Sequence, residues 1–462
     1  MEQKTTKIEK VCAGLCIAIL CFFAVTIATR YLCEQILTKG CLWNNAVTRL
    51  LWFDNAVDEY GNGRDKEKAV IIPYVASYLD WASIYPFDKN NTQAMSTSDS
   101  KGDNTFEKAI LDIEAEFNKY ASESLAFYKK IIEAANIYVK AIGWNFVSFK
   151  EYNGTVKLAD EYLTSYCAKK NVTDQFNAIR ELNDYCKNNK IDFLYVQTPS
   201  KISQYDDKDM SGFVDFANQN ANELLQRLRA TSIDTFDIRE AIHKAGFNNH
   251  SLFYRTDHHW RTTTGIWAAQ QILKYCCDKY GWTVQTDLLN LEQFRIENYP
   301  NSFLGSQGKK VTLARATPDD FSLLYPKYET KFRYKIYNFG IDKIGDYSVC
   351  YDMNRLGHTD YYVESSYHTC NYGDKPLIEI ENLLNSEDKK ILIIRDSFGD
   401  CLISGLALGV KHVYSLDLRL FTGSVKRYIK KVKPDLVIAM YSEYIVGDKV
   451  DYKSHTDMFD FR

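Results

Sequence analysis

Two short stretches carry side chains whose types and spacing suit acyl chemistry. The first is Asp257-His258-His259-Trp260, inside "SLFYRTDHHWRTTTGIWAAQQIL". On an extended segment, residues two apart face the same way, so Asp257 can hydrogen-bond the His259 ring and fix its tautomer. The other ring nitrogen is then free to take a proton from a hydroxyl. Imidazole suits that task because it titrates near neutral pH. In this geometry His258 points to the opposite face, and Trp260 packs beneath the turn. The second stretch is "KKILIIRDSFGD", in which an apolar strand runs into Asp396, Ser397, Phe398 and Gly399. A serine at a strand-to-helix turn exposes its hydroxyl at the sheet edge, where N–H groups at a helix start can receive a developing oxyanion. The logic is that of a nucleophile elbow, without the G-x-S-x-G glycines. The plainer alternatives are a polar loop at Asp257–Trp260 and a helix-capping role for Ser397.

The elements around these stretches predict an α/β fold. From about residue 145 the pattern alternates: a helix in "DQFNAIRELNDYCKNNK", a strand in "IDFLYVQT", a helix in "VDFANQNANELLQRLRA" and a strand in "SIDTFDI". The helix "TTTGIWAAQQILKYCCDKYG" starts on threonines suited to capping and ends at Gly281. "KKILIIRDSFGD", "KHVYSLDL" and "PDLVIAMY", which ends at Tyr441, supply further buried strands. Such alternation implies a parallel sheet with helices on both faces, and active residues gathered at the strand carboxyl ends. Between about 284 and 383 the alternation stops and the chain becomes tyrosine-rich and strand-like, which reads as an antiparallel β-rich insertion. Residues 41–144 read as a helical stem or accessory region, interrupted by the polar loop "DKNNTQAMSTSDSKGDNT".

The N-terminus sets the expected location. "VCAGLCIAILCFFAVTIAT", residues 11–29, holds no charge. As a helix it spans ~28 Å, against about 30 Å for a bilayer core. Lys4, Lys7 and Lys10 precede it, which puts residues 1–10 in the cytoplasm and the rest of a single-pass protein outside. A cleaved signal peptide is the alternative. The net charge of −3 and the lack of a basic stripe argue against nucleic acid. The 33 tyrosines, 25 phenylalanines and 7 tryptophans suit flat polar ligands such as sugars, and equally a β-rich core. No CxxC pair stands among the twelve cysteines. Cys350 and Cys370 are a candidate disulfide. Outside the anchor the cysteine number is odd, which does not fit a fully oxidised framework. The DHH triplet also occurs in manganese phosphoesterases. Those enzymes need further aspartates around early strands, and His243 and His250 lack regular ligand spacing, so no metal and no other cofactor is expected.

"YRTDHHW" ahead of a helix, followed downstream by a strand-borne "RDSFGD", resembles the DHHW family, which is related to the SGNH-hydrolase-like domains of alginate O-acetyltransferases. The likeness spans roughly residues 145–450. It implies an SGNH-hydrolase-like, flavodoxin-like sheet over 145–462 and a triad of Asp257, His259 and Ser397. It also directs attention to "YVQTPSKI", to "YPNSFLGSQGKK" with Gly305 and Ser306, and to "DLRLF" with Asp417 and Arg419. Gly305 and the Ser397 N–H are candidate oxyanion donors. Ser306, Arg419 and Tyr441 are candidate substrate contacts. For Gly305 a simple turn requirement is the alternative. The order of the motifs, Asp/His before Ser, is that of the alginate enzymes and the reverse of ordinary SGNH hydrolases. By resemblance the function is extracytoplasmic O-acetylation of a polysaccharide, with acyl groups supplied by a membrane-bound O-acyltransferase. An esterase with the same triad and a non-catalytic polysaccharide-binding protein remain alternatives.

Overall fold

The computed structural model describes residues 155–206, 215–356, 361–362, 365–386, 388–447 and 457–462, together with Ile137. The anchor expected at 11–29 lies outside these residues, as does the stem expected at 41–144 apart from Ile137. Among the described residues no helix is long and apolar enough to cross a membrane. The chain divides into two compact units, one of which comprises Leu158–Asp207 and Asp215–Arg462 and carries the site residues.

In chain order that unit presents helix α1 (Thr173–Asn188), strand β1 (Asp192–Gln197), α2 (Ala217–Ala230), β2 (Thr235–Asp237) and α3 (Ile238–Lys244). Helix α4 (Thr262–Tyr280) follows. Next come β3 (Phe294–Phe303), α5 (Ser306–Arg315), β4 (Asp319–Pro326), β5 (Phe332–Ile336), β6 (Ile341–Gly345) and β7 (Leu377–Asn382). The last part runs β8 (Lys390–Arg395), α6 (Ile403–Gly409), β9 (His412–Leu416), α7 (Val425–Val432) and β10 (Leu436–Tyr441).

The main sheet has eight strands in the order β2-β1-β10-β8-β9-β7-β5-β6. The first five are mutually parallel. The last three run antiparallel. The expected all-parallel sheet is therefore a mixed one. The tyrosine-rich insertion does not stand apart: its strands β5, β6 and β7 extend the sheet. The physical reason is the open edge of β9, whose unpaired backbone groups are met by β7, with Val413 opposite Ile380 and Leu416 opposite Leu377. Within the insertion, β3 and β4 form a hairpin separate from the main sheet.

The central strands are apolar on both faces because both are covered. Every residue of β10 is buried, as is every residue of β8 after Lys390. On one face Ile179, Leu182, Leu224, Leu228 and Ile429, from α1, α2 and α7, pack against Phe193, Leu392 and Val437. Helices α4 and α6 pack together at glycines: a Cβ on Gly405 would lie 2.9 Å from the Cβ of Ala269. Likewise a Cβ on Gly265 would lie 2.9 Å from that of Cys401, so α4 seats closely behind the turn that bears Ser397. The threonines of α4 do not cap it. Thr262 and Thr264 donate outward, to the carbonyls of Ser322 and Leu252. Gly281 does end the helix, in the left-handed conformation at φ 66°. Cys350 and Cys370 are free thiols rather than a disulfide.

Candidate active site

The sheet places β8 between β9 and β10, so the chain leaves the carboxyl end of β8 at the point where the strand order reverses. Ser397 opens the 3-10 turn Ser397–Cys401 there. Asp396 caps the turn, not Ser397. Its carboxylate accepts the Phe398 N–H at 2.9 Å and the Ser442 N–H at 2.7 Å, tying the end of β8 to the end of β10. The Ser397 side chain is thereby left for another partner. Beneath the turn lies the fully buried Arg395 guanidinium, 2.7 Å from Asp400. Gly399 is needed for that contact, since a Cβ would come within 2.6 Å of the Arg395 Cδ.

The DHHW segment arrives as a bend ahead of α4, not as an extended strand. Asp257 Oδ1 accepts both the backbone N–H of His259 at 3.0 Å and its ring Nδ1–H at 2.5 Å. The opposite ring nitrogen, Nε2, lies 2.6 Å from Ser397 Oγ. The structure thus brings Asp257, His259 and Ser397 into one hydrogen-bonded line. Trp260 donates its Nε1–H to the Phe398 carbonyl at 3.0 Å, which joins the two motifs directly. The bend changes the expectation for His258, whose ring lies beside that of His259, centroids 3.8 Å apart, instead of facing away. Its Nδ1 meets the Ser306 hydroxyl at 3.0 Å.

Burial by itself would raise the Asp257 carboxyl. The neighbouring imidazoles of His258 and His259, with hydrogen bonds from His259 and the Ser306 N–H, outweigh it and hold the group well below its usual range. Asp257 therefore stays ionised. His258 is pushed the other way, first by burial and then by His259, and is neutral at ordinary pH.

Gly305 and Ser306 take up different work from that expected. The Gly305 N–H donates to Thr256 Oγ1 at 2.9 Å and the Ser306 N–H to Asp257 Oδ2 at 2.6 Å, so neither is open to an oxyanion. Gly305 is not a turn glycine either. Its φ is −70°, and its place is dictated by close approach, because a Cβ would sit 2.2 Å from the Asp257 Cβ. Arg419 spends its fork on carboxylates, 2.6 Å from Asp417 and 2.6 Å from Asp374. Tyr441 faces the core and donates its hydroxyl to the Met458 carbonyl. Both groups are thus already bonded within the fold. The Ser397 N–H, the other candidate, has no acceptor among the described residues. The Phe398 N–H is taken by Asp396.

Donor atoms of Asp257, His258 and His259 lie within 4.8 Å of one another, close enough to meet one cation. Both Asp257 oxygens and both His259 ring nitrogens already hold hydrogen bonds, so ligation would have to break the line to Ser397. The arrangement fits proton transfer.

Sequence reasoning missed two neighbours. Tyr367 stacks on His259 at 4.0 Å, 12° from parallel, and donates its hydroxyl to the Ser397 carbonyl at 3.3 Å. Nothing local in the sequence sets it apart from the many other tyrosines. Asp319 accepts from the backbone N–H groups of Arg255 and Thr256 and from the Thr256 hydroxyl, which fixes the approach to Asp257.

The fold is α/β and is similar to that of SGNH hydrolase-like domains. Residues 158–302 match the family model described as an SGNH hydrolase-like domain of acetyltransferase AlgX, a stretch that includes Asp257 and His259 and ends before Ser397. Among solved structures, Bacillus cereus PatB1 is similar at 21% identity and a TM-score of 0.53, over 67% of this chain and 100% of that one. PatB1 with a sulfonyl adduct is similar at 19% identity and 0.51, over 67% and 99%. A DHHW family protein from Eubacterium siraeum DSM 15702 gives 18% identity and 0.49, over 64% and 92%. No curated protein matches the chain significantly. The resemblance drawn for the Asp257–Trp260 region, to the SGNH-like domains of alginate acetyltransferases, agrees with the family model.

Proposed function

We propose that this chain is a serine acyltransferase that places acetyl groups on hydroxyls of a cell-surface or exported polysaccharide, on the outer side of the membrane. The observation that carries the reading is the line from Asp257 through His259 to Ser397, at 2.5 Å and 2.6 Å. His259 Nε2 takes the Ser397 proton as Oγ attacks the acyl carbonyl, and then gives it to the departing group of the donor. A sugar hydroxyl next attacks the acyl-serine, and its proton follows the same route back to Ser397. Asp257, held ionised, orients the ring and stabilises the imidazolium. The Ser397 N–H is the donor for the oxyanion of both tetrahedral intermediates.

The acetyl group is supported by the description of the matching family model, an acetyltransferase. The outer location rests on the charge-free stretch at 11–29 and the three lysines before it, and the supply of acyl groups by a membrane-bound O-acyltransferase is what the resemblance to the alginate enzymes implies. Incubation of the purified full chain with an acetyl ester and oligosaccharides tests the reading. Acetylated sugar in excess over free acetate is the expected product, and both vanish in Ser397→Ala. Acetate alone marks an esterase with water as acceptor. Glycan binding without turnover of any ester marks a binding protein. Turnover that survives in Ser397→Ala overturns the proposal.

A further inference from the structure

Lys201 lies within "YVQTPSKI", has no exposed surface, and plays no part in the chemistry above. Its ammonium has three protons and three acceptors from three separate segments. They are the carbonyl of Leu163, the carbonyl of Arg255 at 3.1 Å and Oε1 of Gln307 at 3.1 Å. The ring of Tyr162 lies 5.8 Å from the same nitrogen. The lysine's own backbone is held as well, since Asn249 Nδ2 donates to the carbonyls of Ser200 and Lys201.

Two of the three acceptors flank the aspartate of the triad. Arg255 is two residues before Asp257, on the bend that delivers it. Gln307 follows Ser306, whose N–H grips Asp257 Oδ2 at 2.6 Å. The bend is held on its donor side by the Asp319 carboxylate, through the N–H groups of Arg255 and Thr256. Lys201 holds its acceptor side. Asp257 and Asp319 are both buried carboxylates whose charges favour the ammonium. A buried lysine is costly unless all its protons are taken, and a geometry that satisfies all three fixes three segments at once.

We propose that Lys201 is a positioning residue of the triad: its ammonium ties the Arg255 bend to the first turn of α5 and so sets the place of the Asp257 carboxylate against His259. The inference rests on the reading of Asp257, His259 and Ser397 as a catalytic triad. A neutral amine donates two hydrogen bonds rather than three, so one tie is lost on deprotonation. Burial pushes this ammonium down to about 7, with Asp257 and Asp319 acting in the opposite direction. Asp257 and Asp319 face it from the bend and from β4, Tyr162 from the segment before α1, and His258 also feels its charge. The linkage signs diverge. Because the folded pKa lies below that of the free side chain, the penalty of burying the charge is full below about 7 and is relieved as pH rises toward 10.5, so this group makes folding more favourable at higher pH. The positioning role makes the triad less competent over the same rise.

The test uses the full chain, with phenylmethanesulfonyl fluoride as the probe of Ser397 and mass spectrometry to locate the adduct. Wild-type chain that takes no label at Ser397 overturns the triad reading itself. Given labelling, Lys201→Met is expected to slow it about tenfold or more, since small misplacements of catalytic groups have effects of that size. It is also expected to shift the low-field proton resonance of the Asp257–His259 bond. The wild-type rate is expected to lose an increment as pH rises through about 7, an increment absent in Lys201→Met. Gln307→Met removes one acceptor and leaves the lysine. It is expected to slow labelling less and to move the decline to lower pH, and it decides the matter if Lys201→Met does not fold. Wild-type labelling rates and an unchanged pH profile in the variant that folds overturn the proposal.

Discussion

Asp257 illustrates how much rests on one side chain. Its two oxygens accept from the His259 ring and backbone and from the Ser306 N–H. Asp257→Asn keeps the shape but offers an amide N–H where the ring needs an acceptor, so the histidine turns to the wrong tautomer. Turnover is expected to fall on the order of 10³–10⁴-fold with little change in KM, as measured by initial rates on an acetyl ester. Gly305 is the steric counterpart. Gly305→Ala drives a methyl group into the Asp257 side chain, so unfolding in urea is expected to show a loss of about 1–3 kcal/mol together with slowed acylation. An unperturbed variant would mean the α5 loop does not press on the aspartate. At this scale the motif letters were legible because chemistry constrains residue type. The partners of Gly305, Arg419 and Tyr441 were not, because which backbone N–H or carboxylate a group meets depends on segments distant in sequence.

Elements decide whether the two motifs meet. Helix α4 carries the DHHW bend at its start and packs through Gly265 behind the Ser397 turn. Besides the bond of His259 to Ser397, the single direct hydrogen bond between the motifs among the described residues is that of Trp260 to the Phe398 carbonyl. Trp260→Phe keeps the apolar contact with Phe398 but leaves that buried carbonyl without its donor. A loss of about 1–3 kcal/mol in chemical denaturation is expected, with slower sulfonylation of Ser397. Unchanged labelling would show that α4 alone holds the register. The strands and α4 could be read from apolar runs and from Gly281. The threonine caps could not, because Thr262 and Thr264 found tertiary acceptors instead. The fate of the tyrosine-rich insertion was equally hidden: alternation specifies strands, while the strand they pair with is chosen by the open edge of β9.

Across the whole unit, buried charge sets the pH response. Glu443 accepts from Ser200 at 2.6 Å and lies 3.4 Å from Arg239. Burial raises its carboxyl to about 7 despite that arginine, and burial raises Asp215 to about 7 as well. Both folded-state values lie above the unfolded ones, so the native state holds protons that the unfolded chain has released. Stability from these groups is full below about pH 4 and is lost as pH rises to about 7. Glu443→Gln is expected to flatten that decline in thermal unfolding series between pH 4.5 and 7. An unaltered slope would assign the decline elsewhere.

The sequence by itself determined the central strands β1, β8, β9 and β10, helices α1, α2 and α4, the functional groups that Asp257, His259 and Ser397 bring, and the likeness to SGNH-type domains, since periodicity and functional-group identity are local properties. Only the tertiary structure decided that the sheet is mixed, that Gly305 and Ser306 serve the aspartate, that Tyr367 stacks on the histidine and that Lys201 joins three segments. Those contacts link residues far apart along the chain, and they follow from which edges and cavities remain once the core has packed.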